Sequence, residues 1–144
     1  MIRTAFRNAV LVDTSAVVAL HDPADQFHGE ARTLFAARAS TAWVALDVTA
    51  HESYTRSRYR LDYVAAIEHY RFLRQNTRIE LLRFRAEDED EAEAILSRYA
   101  EHALSFHDAL CAAAMKRIGI FQIFTFDRDF AILGFALLPG QMRL

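Results

Sequence analysis

The sequence predicts an α/β fold: three layers, α/β/α, around a mainly parallel central sheet of about five strands. Short apolar runs recur along the chain with amphipathic stretches between them. The first and fourth runs, AVLV and FQIF, are largely apolar on successive residues, as strands covered by helices on both faces require. Four Gly and two Pro in 144 residues leave little room for linkers, so a single domain spanning 1–144 is expected.

Taken in order, residues 9–12 (AVLV) read as the first strand and 24–37 as a helix, followed by a strand at 42–46 (AWVAL). Two helices at 48–59 and 62–75 precede a strand at 79–84, and two more at 89–101 and 106–117 precede strands at 121–124 and 135–138. In the helix at 106–117, Ala109, Leu110, Ala113 and Ala114 put apolar residues at helical spacing, and Gly119 supplies a stop. Helices between successive strands are the crossovers that a doubly wound parallel sheet needs. Ligands of such sheets bind beyond the carboxyl ends of the strands.

Composition narrows the setting. The 53% hydrophobic and 25% charged content is that of a globular chain. Cys111 is the sole cysteine, which excludes a disulfide framework or a cysteine-rich zinc module within one chain and fits a reducing cytoplasm. No apolar run reaches the roughly 18 residues of a membrane helix, and the N-terminus leads into a strand rather than a signal peptide, so no membrane association is expected. A net charge of −2 does not advertise a broadly basic surface, so any nucleic-acid partner must be held by local charge.

Four acids stand at the edges of apolar segments: Asp13 in AVLVDTSAVVAL, Glu52 in DVTAHESYT, Asp108 in SFHDALCAAAM and Asp127 in IFTFDRDF. A carboxylate in such a place is costly unless hydrogen bonds or a cation compensate it. Oxygen donors alone suit Mg²⁺ or Mn²⁺, which combine a few carboxylates with substrate phosphate oxygens, and this points to phosphodiester cleavage. Each acid also fits a structural role. Asp13 with Thr14 and Ser15 fits a strand end capping the next helix. Glu52 has Arg56 as an i,i+4 partner, Ser105-x-x-Asp108 resembles a capping box, and Asp127 and Asp129 fit a solvated turn.

The segments LVDTSAVVAL, VTAHESY, SFHDALCAAA and TFDRDF, in this order, resemble the signature of PIN domains over essentially the whole chain. The ending FALLPGQMRL resembles the final strand and tail of that family. The resemblance implies a PIN-like fold and a Mg²⁺- or Mn²⁺-dependent ribonuclease, with Asp13, Glu52, Asp108 and Asp127 as the acidic, metal-holding cluster. Length and layout are most similar to VapC-type toxins of toxin–antitoxin pairs, which implies an RNA substrate, a cognate antitoxin and a homodimer. Thr14 or Ser15 would then supply a supporting hydroxyl, Ser105 would orient the Asp108 region, and Asp129 is either an outer ligand or a solvated neighbour. The mechanism expected is direct hydrolysis, with one or two metal ions orienting a water and balancing charge on the phosphate. The alternatives are a non-catalytic RNA- or protein-binding PIN module and a stand-alone RNA-processing nuclease. A phosphotransfer domain fits less well, because Asp13-Thr14-Ser15 lacks a second Asp two residues on and Lys116 is poorly placed.

Other polar residues receive plainer expectations. His51 and His107 adjoin proposed acids, but neighbouring helical positions point about 100° apart, so both are expected to face elsewhere. With His21, His28, His69 and His102 they make no zinc spacing. Cys111 reads as a core residue without a sequence-local activator. Arg56, Arg58 and Arg60 read as ion-pairing residues near a helix C-terminus, with phosphate contact as the functional alternative, while Arg128 is a candidate substrate-binding residue. The run 87–91 (EDEDE) reads as a solvated helix start.

Overall fold

A computed structural model describes residues 6–140. The elements run β1 (Val10–Val12), α1 (Thr14–His21), α2 (His28–Ala37), β2 (Trp43–Leu46), α3 (Asp47–Arg60), α4 (Tyr63–Gln75), β3 (Ile79–Leu82), α5 (Ala86–Arg98), α6 (Phe106–Ile118), β4 (Gln122–Phe124), α7 (Asp129–Ile132) and β5 (Ala136–Leu138). All five strands pair in parallel in the order β3-β2-β1-β4-β5. Alternate side chains of the sheet feed two apolar layers, because successive residues of a strand point to opposite faces. Leu11, Val44, Leu46 and Ile123 pack with α5, α6 and Phe130 of α7, while Val10, Val12, Ala45 and Phe124 pack with α1, α2 and Leu73 of α4. The three-layer architecture and parallel sheet expected from the sequence are what the chain adopts.

Element boundaries differ where short polar side chains intervene. The helix expected over 24–37 begins at His28, since the carboxylates of Asp22 and Asp25 each accept a backbone N–H two residues on, from Ala24 at 2.9 Å and Phe27 at 2.8 Å. Such turns compete with helix formation. The segment after Asp13, outside the helices assigned by periodicity, forms α1 with Asp13 at its N-cap position, but the Asp13 side chain makes no capping hydrogen bond. The third strand ends at Leu82 rather than at Phe84. The fifth helix starts at Ala86 rather than at 89, because Asp88 accepts the N–H of Arg85 at 2.8 Å. Gly119 is the left-handed stop expected for α6, with φ of 91°. Residues 141–144 of the expected tail lie outside the described residues. Among the described residues no helix is long and apolar enough to cross a membrane.

One member of the acidic run 87–91 departs from its expected solvated state. Asp88 is buried, and its two oxygens receive the Arg117 guanidinium at 2.7 and 2.9 Å, which ties α5 to α6. Helix phase explains this: of five consecutive residues, Asp88 and Glu91, three apart, face α6, where Glu91 accepts from Lys116 Nζ at 2.8 Å while staying partly exposed. Removing one partner of a buried pair leaves the other uncompensated, so Asp88→Ala is expected to lose about 3 kcal/mol in urea unfolding. A solvated acid at that position would cost under about 0.5 kcal/mol.

His69 lies buried between α1, α3 and α4, with Nδ1 at 2.7 Å from Ser57 Oγ and its ring 5.0 Å from that of His21. Burial and the charge of His21 hold its pKa below the usual histidine value. The unfolded chain therefore takes up this proton first as pH falls, so the contribution is complete above about pH 6.5 and is lost below it. His69→Gln is expected to flatten the loss of stability between about pH 7 and pH 5 in chemical denaturation. An unchanged slope would rule out His69 as its source.

Candidate active site

The sheet places β1 and β4 side by side at its centre, with the chain leaving β1 towards β2 and leaving β4 towards β5. Connections that diverge from adjacent parallel strands open a crevice at their carboxyl ends. Asp13 stands there, 3% exposed, and its backbone N–H donates to the Phe124 carbonyl at 3.0 Å. Its Oδ2 accepts hydrogen bonds from Thr125 Oγ1 at 2.8 Å and Ser15 Oγ at 3.1 Å. The same hydroxyls accept from the loop after β4: Thr125 Oγ1 from the Asp127 N–H at 3.0 Å, and Ser15 Oγ from the Phe126 N–H at 2.9 Å. Two side-chain hydroxyls thus anchor the Asp127 loop to the buried carboxylate of Asp13. Among the described residues Thr14 Oγ1 is buried without a hydrogen-bond partner, whereas Ser15 Oγ donates to Asp13.

Two helices complete the crevice. Ser105 caps α6 by accepting the Asp108 N–H at 3.0 Å, and the Asp108 carboxylate is turned to His107 Nδ1 at 3.3 Å rather than back to its own helix end. Asp13, His107 and Asp108 each bring a potential ligand atom within 4.8 Å of the others. Asp108, Asp127 and Asp129 form a second such group, in which Asp127 Oδ1 also accepts the Asp129 N–H at 2.9 Å. Glu52, on α3, stands outside both groups and reaches the cluster through His107, with 3.9 Å between Oε2 and Nδ1. Its expected ion pair with Arg56 is not among those of the described residues. Arg128 is exposed at the start of α7, next in sequence to Asp127 and Asp129.

His107 overturns the expectation that both histidines face away. His51 is exposed against Tyr70 of α4, but His107 is buried in the crevice wall, with Nε2 at 2.9 Å from Thr49 Oγ1 and 3.5 Å from Cys111 Sγ. An imidazole is long enough to turn back towards the carboxylate beside it even though the two Cβ atoms diverge. Cys111 is fully buried, as expected, yet it does have a sequence-local basic neighbour one turn earlier in His107. Helix spacing carries this signal: His107 and Cys111 are i,i+4, and Thr49 and Glu52 are i,i+3 on the facing helix.

The electrostatics follow from the crowding. Burial and the charges of Asp108, Asp129 and Asp13 raise the Asp127 pKa above the usual aspartate value, against the opposing hydrogen bond from Asp129 N–H. Burial also opposes a charge on His107, but Cys111, the Asp108 hydrogen bond and Asp13 outweigh it and raise its pKa. Among the described residues His107 is the one basic side chain within ion-pair distance of any of these acids. Carboxylate oxygens gathered with so little positive charge form an acidic cluster suited to a hard divalent cation.

A profile of the PIN domain matches residues 10–136. The chain belongs to the PIN-domain family. This PIN domain is 32% identical over 126 residues to the 23S rRNA-specific endonuclease VapC20 of Mycobacterium tuberculosis, covering 88% of the chain and 95% of that protein. It superposes on the crystal structure of that VapC20, described as a sarcin–ricin loop cleaving toxin, with a TM-score of 0.82 and 30% identity, over 89% of this chain and 97% of the other. The fold also matches FitAcB from Neisseria gonorrhoeae, with a TM-score of 0.67 at 16% identity over 89% of this chain and 95% of that one. DNA-bound VapBC from Salmonella typhimurium gives 0.63 at 17% over 90% and 96%.

In this PIN domain the repulsion among the acids carries a measurable signature. Asp127→Asn keeps an oxygen for the Asp129 N–H and removes one charge, so it is expected to raise the melting temperature in EDTA. Added Mg²⁺ or Mn²⁺ is expected to stabilise the wild type more than the variant. A lower melting temperature for the variant in EDTA would show that repulsion is not what the cluster stores.

Proposed function

We propose that this chain is a divalent-metal-dependent endoribonuclease, the VapC-type toxin of a type II toxin–antitoxin pair, acting in the cytoplasm. The observation that carries the proposal is the convergence of Asp13, Asp108, Asp127 and Asp129 at the sheet switch point, around a carboxylate that is 3% exposed and has no Lys or Arg partner among the described residues. Identity to an rRNA-specific endonuclease along most of the chain supports the nuclease class and makes large-subunit rRNA the first substrate to test.

Asp13, Asp108 and Asp127 would hold the cation, Mg²⁺ or Mn²⁺, with Glu52 and Asp129 beside them. When bound, the cation supplies positive charge that acidifies water and neutralises the phosphate under attack. The chain's own residues set the geometry. Thr125 and Ser15 fix the Asp13 carboxylate and the Asp127 loop in one frame, and Ser105 caps α6 so that the Asp108 carboxylate is free to turn into the crevice. His107, held by Thr49, is a positioning residue between Asp108 and Glu52. Arg128, on the exposed rim beside Asp127, would contact an RNA phosphate. An antitoxin and a second copy of the chain are the partners this function requires. Exposed Tyr59, Leu61, Tyr63 and Val64 at the α3–α4 turn are apolar surface of the kind a partner covers.

The test is cleavage of a mixed rRNA, tRNA and mRNA pool with Mg²⁺, Mn²⁺ or EDTA. Cleavage is expected to need the cation, to fall about 100-fold or more in Asp13→Asn, and to fall about tenfold in Thr125→Val, which removes a supporting hydroxyl. Cutting that survives both EDTA and Asp13→Asn would overturn the metal mechanism. Metal and RNA binding without cutting would favour a binding module.

A further inference from the structure

Beside the acidic cluster lies a cavity of about 330 Å³, within the size range of small-ligand sites. Its walls come from α1, from the turn between α1 and α2, and from the C-terminal turns of α3. Two of its lining residues also border the cluster: Ser15, which donates to Asp13, and Phe126, whose N–H donates to Ser15. Phe126 stacks on Phe27 across the cavity wall with 4.5 Å between centroids and 5° between planes. Arg56 and Arg60, one helical turn apart on α3, also line the cavity, and neither is in an ion pair among the described residues. Asp22 and Asp25 line it as well, each with one carboxylate oxygen accepting a backbone amide.

Aromatic surface, unpaired guanidinium groups and acceptors around one small cavity are what a nucleotide requires: a flat apolar wall for the base, acceptors for its N–H edge, and cations for its phosphate. We propose that this cavity is a nucleotide subsite, taking the residue of the RNA strand next to the scissile phosphate, with Arg56 and Arg60 sharing its phosphate and the Phe27–Phe126 wall packing its base. The proposal rests on the ribonuclease function above. Arg58 lies between the two on the same helix, is exposed and does not line the cavity. It is therefore the internal control for diffuse attraction.

The experiment is fluorescence anisotropy in EDTA, which stops turnover, using a labelled mixed-sequence single-stranded RNA and a labelled rRNA hairpin over a range of salt concentrations. The Arg56→Gln/Arg60→Gln variant is expected to bind about tenfold more weakly. Its slope of log affinity against log salt is expected to be shallower by about 0.7, because one phosphate fewer is neutralised. Arg58→Gln is expected to stay near wild type, and Arg56→Lys/Arg60→Lys to recover the slope. The proposal is overturned if the double variant binds like wild type, or if Arg58→Gln weakens binding as much. It is equally overturned if the double variant keeps RNA binding but loses a bound antitoxin, since the cavity would then be a protein site. Failure of the wild type to bind either RNA would instead remove the ribonuclease function itself, and the subsite with it.

Discussion

Carboxylates at the head of β1, β4 and α6 share a few ångströms, and the rest of the molecule is arranged to keep them there. Asp13 cannot move away, since its backbone is hydrogen-bonded to the end of β4 and its side chain is held by two hydroxyls. The Asp127 backbone is tied to Thr125 through its N–H, and its carboxylate accepts the N–H of Asp129. Asp108 is fixed by the capped first turn of a helix whose other face fills the core. Like charges held this way raise the free energy of the empty protein, a cost common at functional sites. The two apolar layers on either side of the sheet offset it.

His107 and Asp88 show two solutions to placing charge inside one small domain. Asp88 is neutralised by a bidentate guanidinium and serves packing between α5 and α6. Among the described residues the acids of the crevice have no such partner, and an imidazole held by Thr49 touches only their edge. A guanidinium among them would satisfy the carboxylates and displace the cation they are suited to hold. The contrast separates an acid paired within the fold from acids that no guanidinium reaches among the described residues.

Much of this is legible in the sequence. The apolar runs at 9–12 and 121–124 identify the two central strands, and Asp13 and Asp127 just past them stand where the carboxyl ends of those strands meet the crevice. Ser105 and Gly119 mark both ends of α6. What escapes is whatever depends on the rotation of one helix against another. Nothing local distinguishes Asp88 from the acids beside it until α6 brings Arg117 against α5. Helix phase argues against His107, although a ring of its length can reach back across that angle when a facing helix supplies Thr49. The break at 22–27 stays hidden because Asp22 and Asp25 act through their own backbone, a competition that apolar periodicity does not register.

The hydrogen bond between Thr125 and Asp13 joins residues 112 apart in the chain. During synthesis, Asp13 and Glu52 leave the ribosome long before β4 can be laid beside β1. A chain that stops short of β4 holds Ser15, one of the two hydroxyls on Asp13, but lacks Thr125 and the loop that carries Asp127. The acidic cluster is therefore complete only after β4 has been laid beside β1.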